Sequence, residues 1–253
     1  MTRMIMCGCN GKMGKSISEI VAGDPDIEIV AGIDKAGNNT FGYPVFSNLK
    51  DVNVAADVVI DFTAPAALKE NDMFRLAKER GYALVLCTTG YSEEEIASIN
   101  EASKEIPVLR SANMSLGINL LLKLVSEAAE ILCKEGFDPE IVEKHHNQKV
   151  DAPSGTALAL ADAINSALNN EYEYKYDRHS VREKRPVKEI GISAVRGGSI
   201  VGEHEVLFAG TDEVIEFKHT AYSKAVFGKG AVAAAKFLAG KKPGMYSMKD
   251  VIL

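Results

Sequence analysis

The residues best suited to chemistry lie close together in the segment EKHHNQKVDAPSGTA, residues 143–157. His145, His146 and Lys149 can each carry a positive charge, and all three fall within five positions. Imidazole and ammonium groups transfer protons and pair with carboxylates. The segment therefore indicates proton transfer beside a site for a small anion.

The spacing limits which of these side chains act together. Residues 145 and 149 share a face whether the segment is helical or extended, because a separation of four satisfies both periods. We expect an extended segment over 141–151, which would place the two residues ~13 Å apart. Both would then reach one small molecule only if the chain curves. His146 points elsewhere under either regular geometry.

The end of the segment can bind a carboxylate. Ser154, Gly155 and Thr156 begin a predicted helix at 154–168, where hydroxyls and unpaired backbone N–H groups meet an anion. Simpler roles stay open for each part. The serine and threonine could only cap the helix, and the two histidines could be a solvated strand end. Their clustering directly after the domain that contains a nucleotide-binding pattern favours a site.

That nucleotide-binding pattern is GCNGKMG, residues 8–14, between the first predicted strand and helix. Its glycines allow a tight turn and let the backbone approach a pyrophosphate at a helix N-terminus. Alone the motif is weak, because a glycine-rich turn need not bind anything. Asp34 strengthens it, since it lies 20 residues after Gly14 at the end of the second predicted strand, where an acid binds the ribose.

The neighbours of Asp34 bear on the choice of cofactor. Asp34 favours the 2′-hydroxyl of NADH, whereas Lys35 favours the 2′-phosphate of NADPH and Lys12 could add a second cation. These opposing effects are similar in size for exposed charges. We therefore expect both NADH and NADPH to be used.

The first ~110 residues alternate strands and helices, which is typical of a parallel sheet with crossover helices. We predict strands at 3–9, 27–34, 56–62, 82–87 and 107–110, and helices at 13–22, 65–80 and from Ser92. Ligands bind at the carboxyl ends of strands in such a sheet. Thr63 and residues 87–90, which follow two of these strands, are therefore candidates for the ligand site.

Beyond residue 113 the pattern changes. A buried helix is predicted at 116–134, a polar loop at 170–186, and strands at 189–195, 200–208 and 213–219, with glycine-containing hairpin turns at 197–199 and 210–212. A last helix at 225–238 needs a covered apolar face. The prediction is an α/β chain. A Rossmann-type parallel-sheet domain spans 1–113, with 224–253 returning to it, and an α+β domain with an open mixed sheet spans 114–223.

Composition excludes several classes of protein. The chain has 253 residues, 46% of them hydrophobic, and a net charge of −6, which argues against a nucleic-acid binder. No apolar run is long enough to span a membrane, and no signal peptide is evident. The four cysteines are few for the length and two of them lie only two positions apart, which is a poor disulfide framework, and they lack zinc spacing. We expect a cytoplasmic protein with reduced thiols and no metal.

The run E-x-H-H-x-x-K-x-D-A-P-S-G-T-A resembles the signature of the 4-hydroxy-tetrahydrodipicolinate reductase family. GCNGKMG, IDFTAP, CTTGY, SANMSLGIN, VRGGSIVGEHEV and HTAYSKAVFGKGA resemble further family blocks in family order, so that the resemblance covers about residues 3 to 251. The histidine-containing signature is highly specific, and the glycine motif is not.

The resemblance implies a role for each matching position. His145 matches the general acid/base and Lys149 the proton donor, whereas His146, Ser154, Gly155 and Thr156 match substrate-binding positions. The family also implies a homotetramer built on the second domain's sheet. The positions that match cofactor contacts are Gly8, Cys9, Asn10, Gly11, Lys12, Met13, Asp34, Lys35, Cys87, Thr88, Thr89, Ser111, Ala112, Asn113 and Met114.

Three positions depart from the family pattern. Lys12 stands where arginine is frequent, Cys87 where glycine is common, and Lys224 where arginine is expected. Lysine does not reproduce a bidentate or stacked arginine contact. The resemblance therefore says more about the chemistry than about the cofactor preference or about the hinge at the domain boundary near residue 224.

The implied reaction is reduction of a cyclic dicarboxylate imine, with domain closure over the nicotinamide. Hydride from NADH or NADPH leaves negative charge that a proton from Lys149 or His145 must quench.

Two other functions compete with this interpretation. A redox-sensing dinucleotide-binding protein would leave residues 145–156 without a purpose, and another Rossmann oxidoreductase, such as an aspartate dehydrogenase, would act on a keto acid or amino acid.

Overall fold

The computed structural model describes residues 1–37 and 41–252, which form two units. The first comprises Met1–Leu116 and the chain from Ala225 onward, and the second comprises Gly117–Lys224. The sequence-based boundaries were 113/114 and 223/224. No helix in the described ranges is long and apolar enough to cross a membrane.

The described chain contains twelve strands and eight α-helices, with 3₁₀ turns at Leu49–Asp51 and Cys133–Glu135. The strands are β1 (Thr2–Cys7), β2 (Ile27–Ile33), β3 (Val45–Phe46), β4 (Val58–Asp61), β5 (Ala83–Leu86), β6 (Pro107–Arg110), β7 (Asp138–His145), β8 (Glu173–Tyr176), β9 (Glu189–Arg196), β10 (Gly202–Ala209), β11 (Val214–Ala221) and β12 (Gly244–Tyr246). The helices are α1 (Lys12–Ala22), α2 (Ala67–Glu70), α3 (Met73–Arg80), α4 (Glu93–Ala102), α5 (Leu116–Leu132), α6 (Gly155–Ala167), α7 (Ala225–Leu238) and α8 (Met248–Ile252).

The first unit is built on a seven-stranded sheet in the order β12-β6-β5-β4-β1-β2-β3, in which every pair of neighbours is parallel. The central strands β4 and β5 are buried on both faces, as a sheet with helices on both sides requires. The order from β3 to β6 is that of a doubly wound nucleotide-binding fold, whose strand order reverses between β1 and β4. This confirms the predicted Rossmann-type sheet.

The single helix predicted at 65–80 is wrong, because the structure has two short helices there. Asn71 interrupts the segment: its side-chain carbonyl accepts the N–H of Leu49 at 3.0 Å, and its amide donates to Ala67 O at 3.3 Å. Asp72 then takes a left-handed conformation with φ 46°. A polar side chain that bonds nearby backbone groups and a left-handed residue both break helix continuity.

The second unit is a mixed sheet in the order β11-β10-β7-β9-β8, which confirms the predicted open mixed sheet. Strand β7 pairs antiparallel with β10 and parallel with β9. The hairpin predicted at 197–199 is therefore wrong, because β7 lies between β9 and β10. The hairpin at 210–212 is confirmed, since Gly210 N–H bonds Glu213 O between the paired strands β10 and β11.

Two further segments of this unit differ from the sequence-based prediction. The polar stretch at 170–186 contains the edge strand β8, which pairs with β9. The extended segment predicted at 141–151 ends at His145, and a turn follows, in which Lys149 N–H bonds His146 O at 3.2 Å. His145 and Lys149 thus do not share the face of one regular element.

Helix α7 packs on α1 and on strands β4, β5 and β6 of the first unit. Two glycines allow this close contact. A Cβ at Gly228 would lie 2.8 Å from the Ile20 side chain, and a Cβ at Gly230 would lie 1.6 Å from the carbonyl oxygen of Met114. The second contact is with backbone, which cannot move aside as a side chain can.

We predict that Gly230→Ala destabilises the protein, although alanine normally stabilises a helix interior by about 1 kcal/mol relative to glycine. The Met114 carbonyl must move, at a cost of about 3 kcal/mol. The net loss of about 2 kcal/mol should lower the melting temperature in thermal unfolding by roughly 4–8 °C. Gly23→Ala is the control, since its Cβ would meet only Ile20 O at 3.8 Å. Equal melting temperatures for the two variants would contradict the prediction.

Candidate functional site

The glycine motif forms the turn between β1 and α1. Gly8 has φ 81°, a left-handed conformation that favours glycine, and Gly11 N–H bonds Gly8 O at 3.1 Å. A Cβ at Gly14 would lie 2.2 Å from Gly8 O, so that only glycine lets the helix start this close to the strand. Gly11 occupies the N-cap and has no side chain to cap the first turn. The helix therefore presents unpaired N–H groups, which suit a pyrophosphate.

Asp34 lies just after the end of β2, beside this turn. One carboxylate oxygen accepts the N–H of Asn10 at 3.1 Å and the other accepts the N–H of Ala36 at 3.0 Å. Asp34, Lys35 and Gly8 line one cleft of about 450 Å³ together with Thr63 and Glu70. The Lys35 ammonium pairs with Glu70 at 3.3 Å and is mostly exposed. The cleft thus contains a second carboxylate that the sequence analysis did not single out.

The ends of β4 and β5 meet at a buried carboxyl group. Asp61 is fully buried, and the hydroxyls of Thr63 and Thr88 donate to its two oxygens at 2.5 and 2.7 Å. Burial raises the pKa of Asp61, and these hydrogen bonds act in the opposite direction. The two threonines are thereby fixed in orientation at the carboxyl edge of the sheet.

The remaining predicted cofactor positions differ in their exposure. Cys9, Cys87 and Met114 are buried, so that only their backbone could face a ligand, and burial raises the pKa of both thiols. Lys12, Thr89 and Ala112 are exposed. Ser111 and Asn113 bond one another, with Ser111 Oγ donating to Asn113 O at 2.8 Å.

The second unit contains a polar cluster at the end of β7. Residues alternate along this strand, so that Ile141, Glu143 and His145 face the interior. Glu143 is fully buried and accepts hydrogen bonds from Arg196 (two, each 2.7 Å), Ser154 N–H (2.9 Å) and His145 Nδ1 (2.6 Å). Burial opposes ionisation of Glu143, but these hydrogen bonds outweigh it and lower the pKa of Glu143.

His204 extends the cluster from the neighbouring strand. It is the cross-strand partner of Glu143, its ring lies 5.1 Å from that of His145, and its Nε2 lies 3.0 Å from Ser154 Oγ. Burial, followed by the charge of His145, lowers the pKa of His204 to about 4. His204 is therefore neutral near pH 7. Ser154 Oγ also caps α6 by accepting the N–H of Ala157 at 3.2 Å.

Lys149 lies in the turn after β7, with its ammonium 2.8 Å from the Asp151 carboxylate. The hydrogen bond from Lys149 lowers the pKa of Asp151. An ammonium has three donors, so this pair leaves others for a substrate. His146 is half-buried, Gly155 is exposed and Thr156 is half-buried, the last two at the start of α6. Ser154 is 2% exposed and its N–H is already bonded to Glu143.

The structure thus brings His145 together with Ser154, and it adds three residues that the sequence analysis did not assign: Glu143, Arg196 and His204. A signal for Glu143 exists in the sequence, since positions 143 and 145 share a face of an extended strand. Arg196 and His204 depend on which strands flank β7, which no local pattern indicates.

Two family models match this chain, one for the N-terminus of dihydrodipicolinate reductase over residues 2–114 and one for its C-terminus over residues 117–252. A protein of Caldanaerobacter subterraneus subsp. tengcongensis named 4-hydroxy-tetrahydrodipicolinate reductase is 56% identical over 254 residues, covering 100% of this chain and 98% of the relative. A protein of the same name from Clostridium novyi is 50% identical with the same coverage.

A solved structure, dipicolinate-bound dihydrodipicolinate reductase from Paenisporosarcina sp. TG-14, matches with a TM-score of 0.84 at 25% identity and covers all of both chains. Sequence and fold thus agree along the whole chain, which confirms the resemblance carried by the His-His…Lys signature. The chain belongs to the dihydrodipicolinate reductase family.

Proposed function

We propose that this chain is an NAD(P)H-dependent reductase that converts 4-hydroxy-tetrahydrodipicolinate, by way of dihydrodipicolinate, to tetrahydrodipicolinate in lysine and diaminopimelate biosynthesis. The observation that carries the proposal is the polar cluster of His145, Ser154 and Glu143, in a chain whose relatives have that name. We further propose that it acts in the cytoplasm as a homotetramer.

The first unit fits a dinucleotide. The uncapped start of α1 suits the pyrophosphate, and the carboxylate of Asp34 suits the ribose hydroxyls. A bound dihydronicotinamide would supply the hydride. The positions proposed to contact it are those named above at 8–13, 34–35, 87–89 and 111–114, where the buried members would act through their backbone groups.

The second unit supplies groups for a small dicarboxylate. Lys149 and His146 provide cationic or hydrogen-bonding groups, and Gly155 and Thr156 lie at the positive end of α6. Ser154 fixes that helix start through its bonds to Ala157 and Glu143. The substrate must share Lys149 with Asp151, which holds the ammonium in place beforehand.

Proton transfer completes the reduction. Hydride addition to the conjugated ring leaves negative charge on the enamine system, which a proton must quench. Lys149 can give a proton from its ammonium. His145 can act as the general acid/base, since Glu143 holds its Nδ1 and leaves Nε2 for transfer.

An enzyme assay distinguishes this proposal from a keto-acid dehydrogenase. The product of dihydrodipicolinate synthase, generated in situ, should oxidise NAD(P)H and keto acids should not.

We predict that Lys149→Ala or His145→Gln lowers kcat by ~10²-fold or more, the usual effect of a positioned acid. The dissociation constant for NADPH, measured by nucleotide fluorescence, should hardly change, because neither residue belongs to the unit with the glycine motif. Lys134→Ala and His179→Gln are controls at exposed positions of the same unit. A near-normal kcat in either site variant would remove that residue from the mechanism.

We predict that NADH and NADPH are used within about tenfold of each other in kcat/KM. Lys35→Ala should lower kcat/KM for NADPH by about fivefold more than for NADH, since it removes an exposed cation. Glu70→Gln should have the opposite effect, because it removes a carboxylate from the same cleft. Raised salt should reduce NADPH use more than NADH use. A preference beyond about a hundredfold would show that the Asp34 and Lys35 effects do not balance.

We predict a homotetramer, with a mass by light scattering about four times the 27.3 kDa of the chain. The sheet of the second unit has open edges at β8 and β11 and exposes Val195 and Val214. Such edges are normally covered or paired. Val195→Lys should lower the measured mass, whereas Met245→Lys, at an exposed position of the first unit, should not. A wild-type monomer at micromolar concentration would contradict the assembly.

A further inference from the structure

We propose that Glu143 is a positioning residue for the reduction, which acts by fixing the tautomer and orientation of His145, and that Arg196 keeps Glu143 ionised for this role. The inference rests on the proposed function of His145. It assigns roles to two residues through contacts within the second unit alone.

The surroundings of the Glu143 carboxyl favour its ionised form. A fully buried carboxylate is expensive to ionise unless it is paired and hydrogen-bonded. Here Arg196 binds both oxygens in a bidentate pair at 2.7 Å each, and Ser154 N–H adds a bond at 2.9 Å. These bonds favour the charged form, so that the group facing His145 is a carboxylate.

The ionised carboxylate fixes the tautomer of the His145 imidazole. An ionised carboxylate only accepts hydrogen bonds. His145 Nδ1, at 2.6 Å from Glu143 Oε2, must therefore carry a hydrogen, and in the neutral ring Nε2 has the free lone pair. Nε2 is the nitrogen that exchanges the proton. The orientation of an acid/base histidine by a buried carboxylate is a known device in other enzymes.

Gly202 lies beside the other nitrogen of the His145 ring, Nε2. A Cβ at Gly202 would lie 3.1 Å from His145 Nε2. Glycine at this position leaves Nε2 clear, while the His145 carbonyl accepts the N–H of Gly197 at 2.9 Å. The connection between β9 and β10 thus crosses the end of β7 and holds the backbone of His145. Glu143 sets the angle of its ring.

The test compares Glu143→Gln with Glu143→Asp and a control. Glutamine keeps the shape but offers an amide in place of a charge, so that Nδ1–H is no longer enforced. We expect kcat to fall by ~10²-fold or more, as when an orienting carboxylate is neutralised, with KM within about threefold. Aspartate keeps the charge and should recover at least tenfold of the lost kcat. Glu189→Gln breaks another buried ion pair, with Arg178, and should lower stability without this loss of kcat.

A spectroscopic measurement separates positioning from general damage. The chain has five histidines, so ¹⁵N NMR of histidine-labelled protein gives few signals, and His145→Gln identifies the one of interest by its loss. Wild type should show His145 as the Nδ1–H tautomer in the neutral state, and Glu143→Gln should lose that preference. An Nε2–H tautomer in wild type, or a Glu143→Gln variant with kcat within threefold of wild type, would overturn the inference. A wild type that is inactive on the substrate would reject the proposed function, while the NMR measurement, made without substrate, would still decide the tautomer.

Discussion

The second unit depends on one buried ionic interaction, the pair between Glu143 and Arg196. Breaking such a pair by removing one partner is costly, because the other charge stays buried without compensation. The carboxylate here also bonds Ser154 N–H and His145, so that one group joins the end of β7, the start of α6 and the end of β9. These three segments must keep their relative positions for the pair to exist. Arg196, Ser154 and His145 therefore hold the Glu143 carboxylate in one position within the polar cluster.

The first unit satisfies a buried carboxyl group in a different way. The hydroxyls of Thr63 and Thr88 donate hydrogen bonds to Asp61, and burial raises the pKa of Asp61, whereas Glu143 has a bidentate arginine and a lowered pKa. Hydroxyl donors orient neighbouring loops without supplying a full opposite charge. The comparison indicates two uses of a buried acid. Asp61 ties two strand ends together beside the glycine turn, and Glu143 keeps a negative charge against an imidazole.

The sequence predicted those parts of the structure that local patterns determine. The parallel sheet, the helix at 225–238 and the turn at 210–212 follow from alternation, apolar periodicity and glycine position. The hairpin at 197–199 failed because a glycine turn does not reveal whether the strands it joins are adjacent, and β7 in fact lies between them. Strand β8 was missed because it is a short edge strand of charged and tyrosine residues, none of them buried. The candidate site shows the same limit: His145 and Ser154 were assigned to one site because they lie in one short segment of the sequence, but Arg196 and His204 come from the order of strands.

A chain with a net charge of −6 would have to bind the proposed dicarboxylate substrate by a local arrangement of charge. Two cations of the second unit that lie near Asp151 are already paired. Arg196 is committed to Glu143 and to the Asp151 carbonyl, which it contacts at 2.6 Å, and Lys149 is held by the Asp151 carboxylate. The same two residues, Arg196 and Asp151, therefore order the turn that carries Lys149. A lysine ordered in advance loses less conformational entropy when an anion arrives. A modest local positive charge can then bind the proposed dicarboxylate substrate, although the net negative charge of the chain repels it.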